Sequence, residues 1–280
     1  MYAITGITGQ VGASLAEALR AARQPFRAIV RDAAKAARFE QSAIAGLDDT
    51  PALASAFEGA EAVFILLPPL FDPSPGFPES TRTIHSIRDA LLAARPGRVV
   101  ALSTIGADAA HENLLSQLGR MEQVLGELPM PVTFLRAAWF MENTQWDIAS
   151  ARDHGSFDSY LMPLDRRIAM VATKDIGELA AKLLGETWEG VRVVELEGPV
   201  RVSPDDIAAS LAKALRRDVV ARGVPRDTWE ERFRSQGMRN PGPRMRMIDG
   251  FNDGWIDFGA GARKGVTTLD EVVRGLVARG

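Results

Sequence analysis

The chain has 280 residues, of which 46% are hydrophobic and 25% are charged, and its formal net charge is -3. This is the composition of an ordinary globular protein, and the slightly acidic balance argues against a nucleic-acid-binding surface. The absence of cysteine excludes disulfides, thiolate catalysis and Cys-based zinc sites. The three histidines, His85, His111 and His154, lack the spacing of metal ligands, so no metal is expected.

The N-terminus joins a short apolar run, Met1 to Thr5, to the segment Gly6-Ile7-Thr8-Gly9-Gln10-Val11-Gly12. A helix is predicted directly afterwards, from Ala13 to Arg23. A strand, a glycine-rich turn and a helix in this order are the context of a dinucleotide-binding turn. The first glycine permits the tight turn, the second lets the backbone approach a pyrophosphate, and the third lets the helix pack on the sheet. The alternative interpretation is the same turn without a nucleotide.

The second predicted strand, Phe26 to Val30, is followed by a short helix around Ala33 to Phe39. Ligands of open parallel sheets bind at the C-terminal ends of the strands. An acidic residue after the second strand favours the ribose hydroxyls of NAD, whereas a basic residue accepts the extra phosphate of NADP. Arg31 is the first side chain there and Lys35 lies one helical turn on, so NADP is favoured. A solvated arginine is the alternative.

Alternating strands and helices continue to about residue 140. The predicted elements are a weak strand at Gln41 to Leu47, a helix at Thr50 to Phe57, a strand at Ala62 to Leu67, a helix at Glu79 to Ala94, a strand at Arg98 to Leu102, a helix at His111 to Leu128 and a strand at Val132 to Leu135. This order predicts a parallel sheet with right-handed crossovers. The proline-rich loop 68–78 is either a lid over the cofactor or an ordinary surface loop.

Beyond residue 140 the alternation loosens. The predicted elements are a strand at Ile168 to Ala172, a helix at Thr173 to Leu184, a strand at Val191 to Leu196, a helix after Ser203 and a last helix with a capping box at Thr268 and Glu271. The Met and aromatic residues at 245–258 either line a substrate pocket or pack a small lobe. A dinucleotide-binding core is therefore predicted over residues 1–140, with returning segments near 166–200, and a smaller lobe formed mostly by 141–280.

Several of these segments together resemble the NmrA-like family, a branch of the atypical short-chain dehydrogenases that includes NADPH-dependent quinone reductases. The resemblance spans nearly the whole chain, and its most specific parts are Val30-Arg31-Asp32, Trp139-Phe140-Met141-Glu142-Asn143 and Val171 to Ile176. It implies a Rossmann-type parallel sheet with helices on both faces and a small C-terminal α/β substrate lobe.

The resemblance also implies that NADP(H) binds across the glycine turn and Arg31, with the nicotinamide near the loops after Leu67, Leu102 and Arg136. The expected cofactor-binding residues are Gly6, Thr8, Gly9, Gln10, Val11, Gly12, Arg31, Lys35, Leu67, Pro68, Ser103, Thr104 and Ala137. On the resemblance alone, Trp139, Phe140 and Asn143 bound the pocket of the acceptor.

The chain departs from the wider superfamily where catalysis is concerned. Typical members carry a Tyr-x-x-x-Lys pair on the helix after the Ser-bearing strand, whereas Leu114 and Leu118 fill the two places here. Ser103 is either a substrate contact or a turn hydroxyl. His111, expected at the start of that helix, is either a proton donor or a solvated histidine.

The missing pair bears on the reaction, because reducing a simple ketone makes an alkoxide that needs a positioned acid. A quinone gives a far better stabilised anion, and an iminium acceptor needs no proton. The sequence therefore favours an NADPH-dependent reductase of small, apolar, electrophilic acceptors such as quinones. The alternative is a non-catalytic NADP(H)-sensing regulatory protein that acts through a protein partner. An epimerase or dehydratase is disfavoured, since those enzymes generally keep the tyrosine.

The expected cellular location of the protein follows from features that the sequence lacks. The first strand leaves no room for a signal peptide, and the longest apolar run is too short to span a membrane. A cytoplasmic protein without nucleic-acid or membrane partners is therefore expected. A homodimer and a regulatory protein partner are both left open.

Overall fold

The computed structural model describes residues 1–279. Its strands are β1 (Tyr2–Ile4), β2 (Phe26–Val30), β3 (Ser42–Ile44), β4 (Ala62–Leu66), β5 (Val99–Thr104), β6 (Val132–Ala137), β7 (Trp139–Phe140), β8 (Ser156–Ser159), β9 (Met170–Val171), β10 (Val191–Glu197), β11 (Val220–Gly223) and β12 (Arg263–Lys264). Its α-helices are α1 (Gln10–Ala21), α2 (Ala33–Ala36), α3 (Thr50–Phe57), α4 (Pro78–Ala94), α5 (Ser116–Leu125), α6 (Ile148–His154), α7 (Thr173–Gly185), α8 (Pro204–Leu215), α9 (Trp229–Ser235), α10 (Gly242–Asp253) and α11 (Leu269–Arg279). Short 3-10 helices cover Met141–Trp146 and Arg226–Thr228.

One parallel sheet organises the described part of the chain. Eight strands pair in the order β12-β10-β6-β5-β4-β1-β2-β3, and every pairing is parallel. The order reverses direction between β1 and β4, which is the switch point at which ligands of such sheets bind. The smaller parallel pairs β8–β11 and β7–β9 lie outside this sheet.

Helices cover both faces of the sheet. Helices α3, α4 and α5 pack on one face, and α1 and α7 pack together on the other. The close approach of α1 and α7 depends on Gly177, because a Cβ atom there would lie 2.5 Å from the backbone nitrogen of Leu15. The predicted Rossmann-type α/β fold is confirmed.

The C-terminal lobe is built around β8 and β11 with α6, α8, α9 and α10. The predicted capping box is confirmed, since the Thr268 hydroxyl donates to Glu271 Oε2 at 2.7 Å and accepts from the Glu271 backbone N–H at 3.3 Å. Among the described residues, no helix is both long and apolar enough to cross a membrane.

The predicted boundaries of helices α1 and α5 are wrong. Helix α1 begins at Gln10 rather than Ala13, so the third glycine of the turn lies inside the helix. Helix α5 begins at Ser116 rather than His111 and ends at Leu125. The second difference has a local cause, because the Asn113 side chain accepts from the Leu115 backbone N–H at 2.8 Å and donates to the His111 carbonyl at 2.9 Å. Such bonds offer the backbone an alternative to the helix.

Candidate cofactor and acceptor site

The three glycines of the first turn have different surroundings. Gly6 has a φ of +66°, a conformation that L side chains rarely adopt. A Cβ atom on Gly12 would lie 2.2 Å from the Gly6 carbonyl oxygen, so only glycine permits this packing. Gly9 is exposed, and a Cβ there would meet its nearest described neighbour at 3.4 Å. Gly9 is therefore free on its outer side, as close approach of a ligand requires.

The N-terminus of α1 is open to an anion. Within residues 1–279, no side chain caps this helix end, so its first N–H groups keep their capacity to donate. The side chains that flank it, Thr8 and Gln10, are exposed, whereas Val11 is buried beneath the turn. Free N–H groups and the positive end of the helix dipole suit a phosphate. The turn therefore fits the pyrophosphate of a dinucleotide.

Thr5 holds together the two strands that border the switch point. Its hydroxyl donates to the Phe64 carbonyl at 3.1 Å and accepts from the Leu66 backbone N–H at 2.8 Å. These two hydrogen bonds fix where β4 ends, and hence where Leu67 and Pro68 leave the sheet beside the glycine turn.

The end of β2 presents a cation rather than an anion. Asp32 caps α2 by accepting from the Lys35 backbone N–H at 2.8 Å, and this bond lowers the pKa of the Asp32 carboxyl. The Lys35 ammonium lies 3.5 Å from the same carboxylate. Arg31 is exposed and makes no salt bridge or hydrogen bond with any residue in 1–279. The acid is thus committed to the helix, and the guanidinium is available to a phosphate.

Ser103 and Thr104 end β5 beside the end of β6, where Ser103 pairs with Arg136 and Thr104 with Ala137. Ser103 is buried, and its hydroxyl donates to Glu122 on α5 at 2.5 Å. Thr104 is half-buried. The strand ends thus bring Thr104 and Ala137 together, whereas the Ser103 hydroxyl is bonded to α5.

The residues expected at the start of α5 are placed differently. His111 lies five residues before the helix, is exposed, and contacts Trp255 edge-on at a ring-centroid distance of 5.2 Å. Its expected position at the helix start is wrong, because the Asn113 turn delays the helix. Leu114 also precedes the helix, so only Leu118 of the two leucines lies on it. The role of His111 as a proton donor stays a prediction.

The predicted acceptor residues follow β6 directly. Trp139 and Phe140 form β7 and pair with β9, and both are half-buried. Trp139 contacts Phe251 of α10 edge-on, with ring centroids 5.1 Å apart. Phe251 belongs to the apolar segment 245–258, and it is buried together with Met247. That segment therefore packs the lobe and also borders one of the predicted acceptor residues.

An exposed aromatic pair was not identified from the sequence. Phe71 in the loop after β4 and Trp146 at the end of the 3-10 helix are 47% and 63% exposed. Their rings meet edge-on with centroids 6.5 Å apart. A 3-10 helix repeats every three residues, so Trp146 shares a face with Asn143. The sequence offered one signal for this pair. Both residues are large aromatic side chains in segments that follow strands of the sheet, at its C-terminal edge.

The loop after β4 is tied to the lobe. The Asp72 carboxylate accepts from the backbone N–H groups of Arg239, at 3.0 Å, and of Asn240, at 2.7 Å. These bonds lower the pKa of Asp72. From the other side, Gln117 of α5 donates to the Leu70 carbonyl at 3.1 Å. The loop therefore joins the sheet's edge to the lobe, and its function as a lid stays a prediction.

Two of the three segments that carry the family resemblance most specifically also have a structural role. Glu142 is buried and accepts from the Thr173 backbone N–H at 2.9 Å and from its hydroxyl at 2.7 Å. Burial raises the pKa of Glu142. Thr173 begins α7, and Asp175, in the first turn of that helix, accepts from the Thr267 hydroxyl at 2.6 Å. These carboxylates anchor the segment after β6 to α7 and to the chain before α11.

The glycine turn, the open N-terminus of α1 and the strand ends define a dinucleotide-binding protein of the Rossmann class. Within the described residues, no group of three or more His, Asp or Glu could hold a metal ion. The chain belongs to the NAD(P)H-binding family, whose sequence model matches residues 6–187.

Known relatives match most of the chain. An NAD(P)H azoreductase of Xenophilus azovorans is 27% identical over 244 residues, which are 85% of this chain and 82% of that protein. Quinone oxidoreductase 2 of Escherichia coli is 28% identical over 271 residues, 95% of this chain and 89% of that protein. The crystal structure of the Escherichia coli NADPH-dependent quinone oxidoreductase complexed with NADPH has a TM-score of 0.81 and 26% identity, with 99% of both chains covered.

A Citrobacter triphenylmethane reductase complexed with NADP(H) has the same fold, with a TM-score of 0.80 at 19% identity over 98% of this chain and 99% of that one. The family match and the quinone-reductase relatives confirm the resemblance to the quinone-reductase-like branch of the NmrA-like atypical short-chain dehydrogenases. They also confirm the predicted cofactor, NADP(H).

Proposed function

We propose that this protein is an NADPH-dependent reductase that directs a hydride to quinones or similar electrophilic acceptors. The observation that carries the proposal is the position of the glycine turn at the C-terminal edge of the sheet. The strand ends beside it, where the acceptor is expected, carry no side chain positioned as an acid. Leu118 stands on α5 where the family's wider relatives carry an ionisable residue, and the Ser103 hydroxyl is bonded to Glu122. Such an edge suits an acceptor whose reduced form is a stabilised anion.

The cofactor residues have distinct roles in this proposal. The N–H groups at the start of α1 hold the pyrophosphate, and Gly9 lets it approach the backbone. Arg31 grips the phosphate on the adenosine ribose, with Lys35 adding a second positive charge. Leu67, Pro68, Thr104 and Ala137 border the nicotinamide. When bound, NADPH supplies the hydride, which is the cofactor's own chemistry.

The acceptor lies against an apolar surface. Trp139 and Phe140 supply flat faces at the end of β6, and Asn143 supplies a polar group that orients the acceptor. Phe71 extends this surface from the loop after β4, and Trp146 extends it from the end of the 3-10 helix. Apolar walls with a few polar groups are typical of small-molecule sites. The product anion takes its proton from water.

The relatives support this choice of acceptor. Two of the matched relatives are named as a quinone oxidoreductase and an NAD(P)H azoreductase. The similar crystal structure contains NADPH rather than NADH. A cofactor with the extra phosphate agrees with an unpaired Arg31 at the end of β2.

The test follows the absorbance of reduced nicotinamide when the protein is mixed with NADPH and each of a panel of quinones, azo dyes and iminium compounds. NADH is run in parallel, and binding of both cofactors is titrated without an acceptor. The proposal predicts acceptor-dependent consumption of NADPH well above that of NADH. Tight binding of NADPH without consumption by any acceptor overturns it and favours the regulatory alternative.

A further inference from the structure

The lobe contains a cation without an anionic partner. Arg244, in the first turn of α10, is half-buried and makes no salt bridge or hydrogen bond with any residue in 1–279. Its guanidinium carbon lies 4.7 Å from the centroid of the Phe233 ring. Burial lowers the pKa of Arg244. Removing a cation from water without an anionic partner costs free energy, which the Phe233 ring offsets only in part, so the guanidinium keeps its capacity to bind an anion.

The helix face that carries Arg244 is directed toward the acceptor surface. Residues i, i+4 and i+7 of an α-helix share a face, which groups Arg244 with Ile248 and Phe251. Phe251 is the residue that contacts Trp139, and both Ile248 and Phe251 are buried. Arg244 lies seven residues before Phe251, or about 10 Å along the helix axis.

The end of α10 that carries Arg244 also meets the loops of the sheet's C-terminal edge. The Pro243 carbonyl accepts from the Leu114 backbone N–H at 2.9 Å, which joins the helix to the loop after β5. Just before the helix, Asn240 donates to Asp72 in the loop after β4. The first turn of α10, which carries Arg244, is therefore joined to the two loops that border the proposed acceptor site.

We propose that Arg244 binds the acceptor oxygen that becomes negatively charged when the hydride is transferred, and so selects quinones over cationic acceptors, an inference that rests on the proposed reductase function. Transfer of a hydride from NADPH to a quinone gives NADP⁺ and the hydroquinone monoanion, which takes one proton from water to give the hydroquinone. A guanidinium offers five N–H donors and a fixed positive charge, so it stabilises this anion as it forms. The same charge repels a cationic dye and attracts an acceptor with a sulfonate group.

The test compares Arg244→Gln and Arg244→Lys with Arg222→Gln, which removes an exposed arginine from the same lobe. The acceptors are menadione, which is neutral, and crystal violet, which is cationic. Arg244→Gln should lower kcat with menadione about tenfold or more, without a loss of activity toward crystal violet. Arg244→Lys should recover part of the kcat, and Arg222→Gln should match the wild type. The Tm of Arg244→Gln should be equal to or above that of the wild type.

An unchanged kcat with menadione overturns the proposal. An equal loss with both acceptors, accompanied by a lower Tm, also overturns it and assigns Arg244 to packing against Phe233. If the wild type reduces no acceptor, equilibrium dialysis of a naphthoquinone sulfonate against the NADP⁺-loaded protein decides the matter. Binding that is about tenfold or more weaker in Arg244→Gln supports the anion site although the reductase function has failed, whereas equal binding in both proteins overturns both.

Discussion

The hydroxyl of Ser103 donates a hydrogen bond to Oε1 of Glu122, 2.5 Å away, and the same carboxylate accepts two hydrogen bonds from Arg136, at 2.9 and 2.6 Å. Ser103 and Arg136 are paired neighbours at the ends of β5 and β6, and Glu122 reaches them from α5. The three side chains therefore fasten the helix to the strand ends that border the predicted nicotinamide position.

The first prediction concerns Ser103. Because its hydroxyl hydrogen is committed to Glu122, we expect Ser103→Ala to change kcat/KM by less than about fivefold. Arg136 still compensates the charge of Glu122 in this variant. Steady-state kinetics with NADPH and a quinone provide the measurement. A loss of about a hundredfold or more, as expected for removal of a general acid, would contradict this account and assign the proton transfer to Ser103.

The second prediction separates ligand approach from packing within the glycine turn. Gly9→Ala should weaken NADPH binding while the Tm stays near that of the wild type, because its Cβ has room in the protein but occupies the expected pyrophosphate position. Gly12→Ala should destabilise the fold by about 1–3 kcal/mol or more, since its Cβ would overlap the Gly6 carbonyl.

Thermal unfolding measures the stability of each glycine variant, and titration with NADPH measures its affinity for the cofactor. Gly259→Ala serves as the control, since a Cβ there meets no described atom within 4 Å. Equal losses of stability and of NADPH binding in the Gly9 and Gly12 variants would show that the two glycines do not have separate roles.

The third prediction concerns cofactor preference. Arg31→Ala should raise the KM for NADPH about tenfold to a hundredfold, the range that corresponds to a lost charge-assisted hydrogen bond, and should leave the KM for NADH nearly unchanged. Lys213→Ala, which removes an exposed lysine from α8, should change neither value. Parallel changes with NADPH and NADH in Arg31→Ala would argue against recognition of the extra phosphate.

The fourth prediction follows from Asp147, where burial raises the pKa of the carboxyl from 3.8 to about 7. Between about pH 4 and pH 7 the folded protein keeps a proton that the unfolded chain has lost, so stability falls as the pH rises. One pKa unit corresponds to about 1.4 kcal/mol, so the full penalty above about pH 7 is on the order of 4 kcal/mol.

Asp147→Asn removes this penalty, and we expect it to unfold at higher urea concentration than the wild type at about pH 8 but at a similar concentration at about pH 4. The exposed Asp165 supplies the control variant, Asp165→Asn, which should follow the wild type at both values. A wild type and an Asp147→Asn variant of equal stability at about pH 8 would rule out a desolvated carboxyl at this position.

The elements near the cofactor could be predicted because their signals are local. The glycine turn, the apolar strands and the basic residue after β2 are each encoded within a few neighbouring residues. The contacts that shape the acceptor side join residues far apart in the chain. Glu122 of α5 contacts Arg136 of β6, and Phe71 in the loop after β4 contacts Trp146 at the end of the 3-10 helix. No periodicity in the sequence indicates such pairs, because the order of the strands in the sheet determines which residues meet.

The misplaced start of α5 has a different origin. The apolar spacing before Ser116 is compatible with a helix, but the Asn113 side chain bonds to its own backbone neighbours and holds residues 111–115 outside the helix. Competition between side-chain and backbone hydrogen bonds decides this boundary. The same effect places His111 against Trp255 rather than at a helix end.

The reaction proposed for this chain is the transfer of a hydride from NADPH to a quinone. The most direct measurement is a single-turnover reaction of the protein with a quinone and NADPH carrying deuterium or hydrogen at the transferred position. We expect NADPH to be consumed only when the quinone is present, and we expect deuterium to slow the consumption. NADPH that binds and remains unconsumed, or a rate that equals that of the reaction without protein, would contradict it.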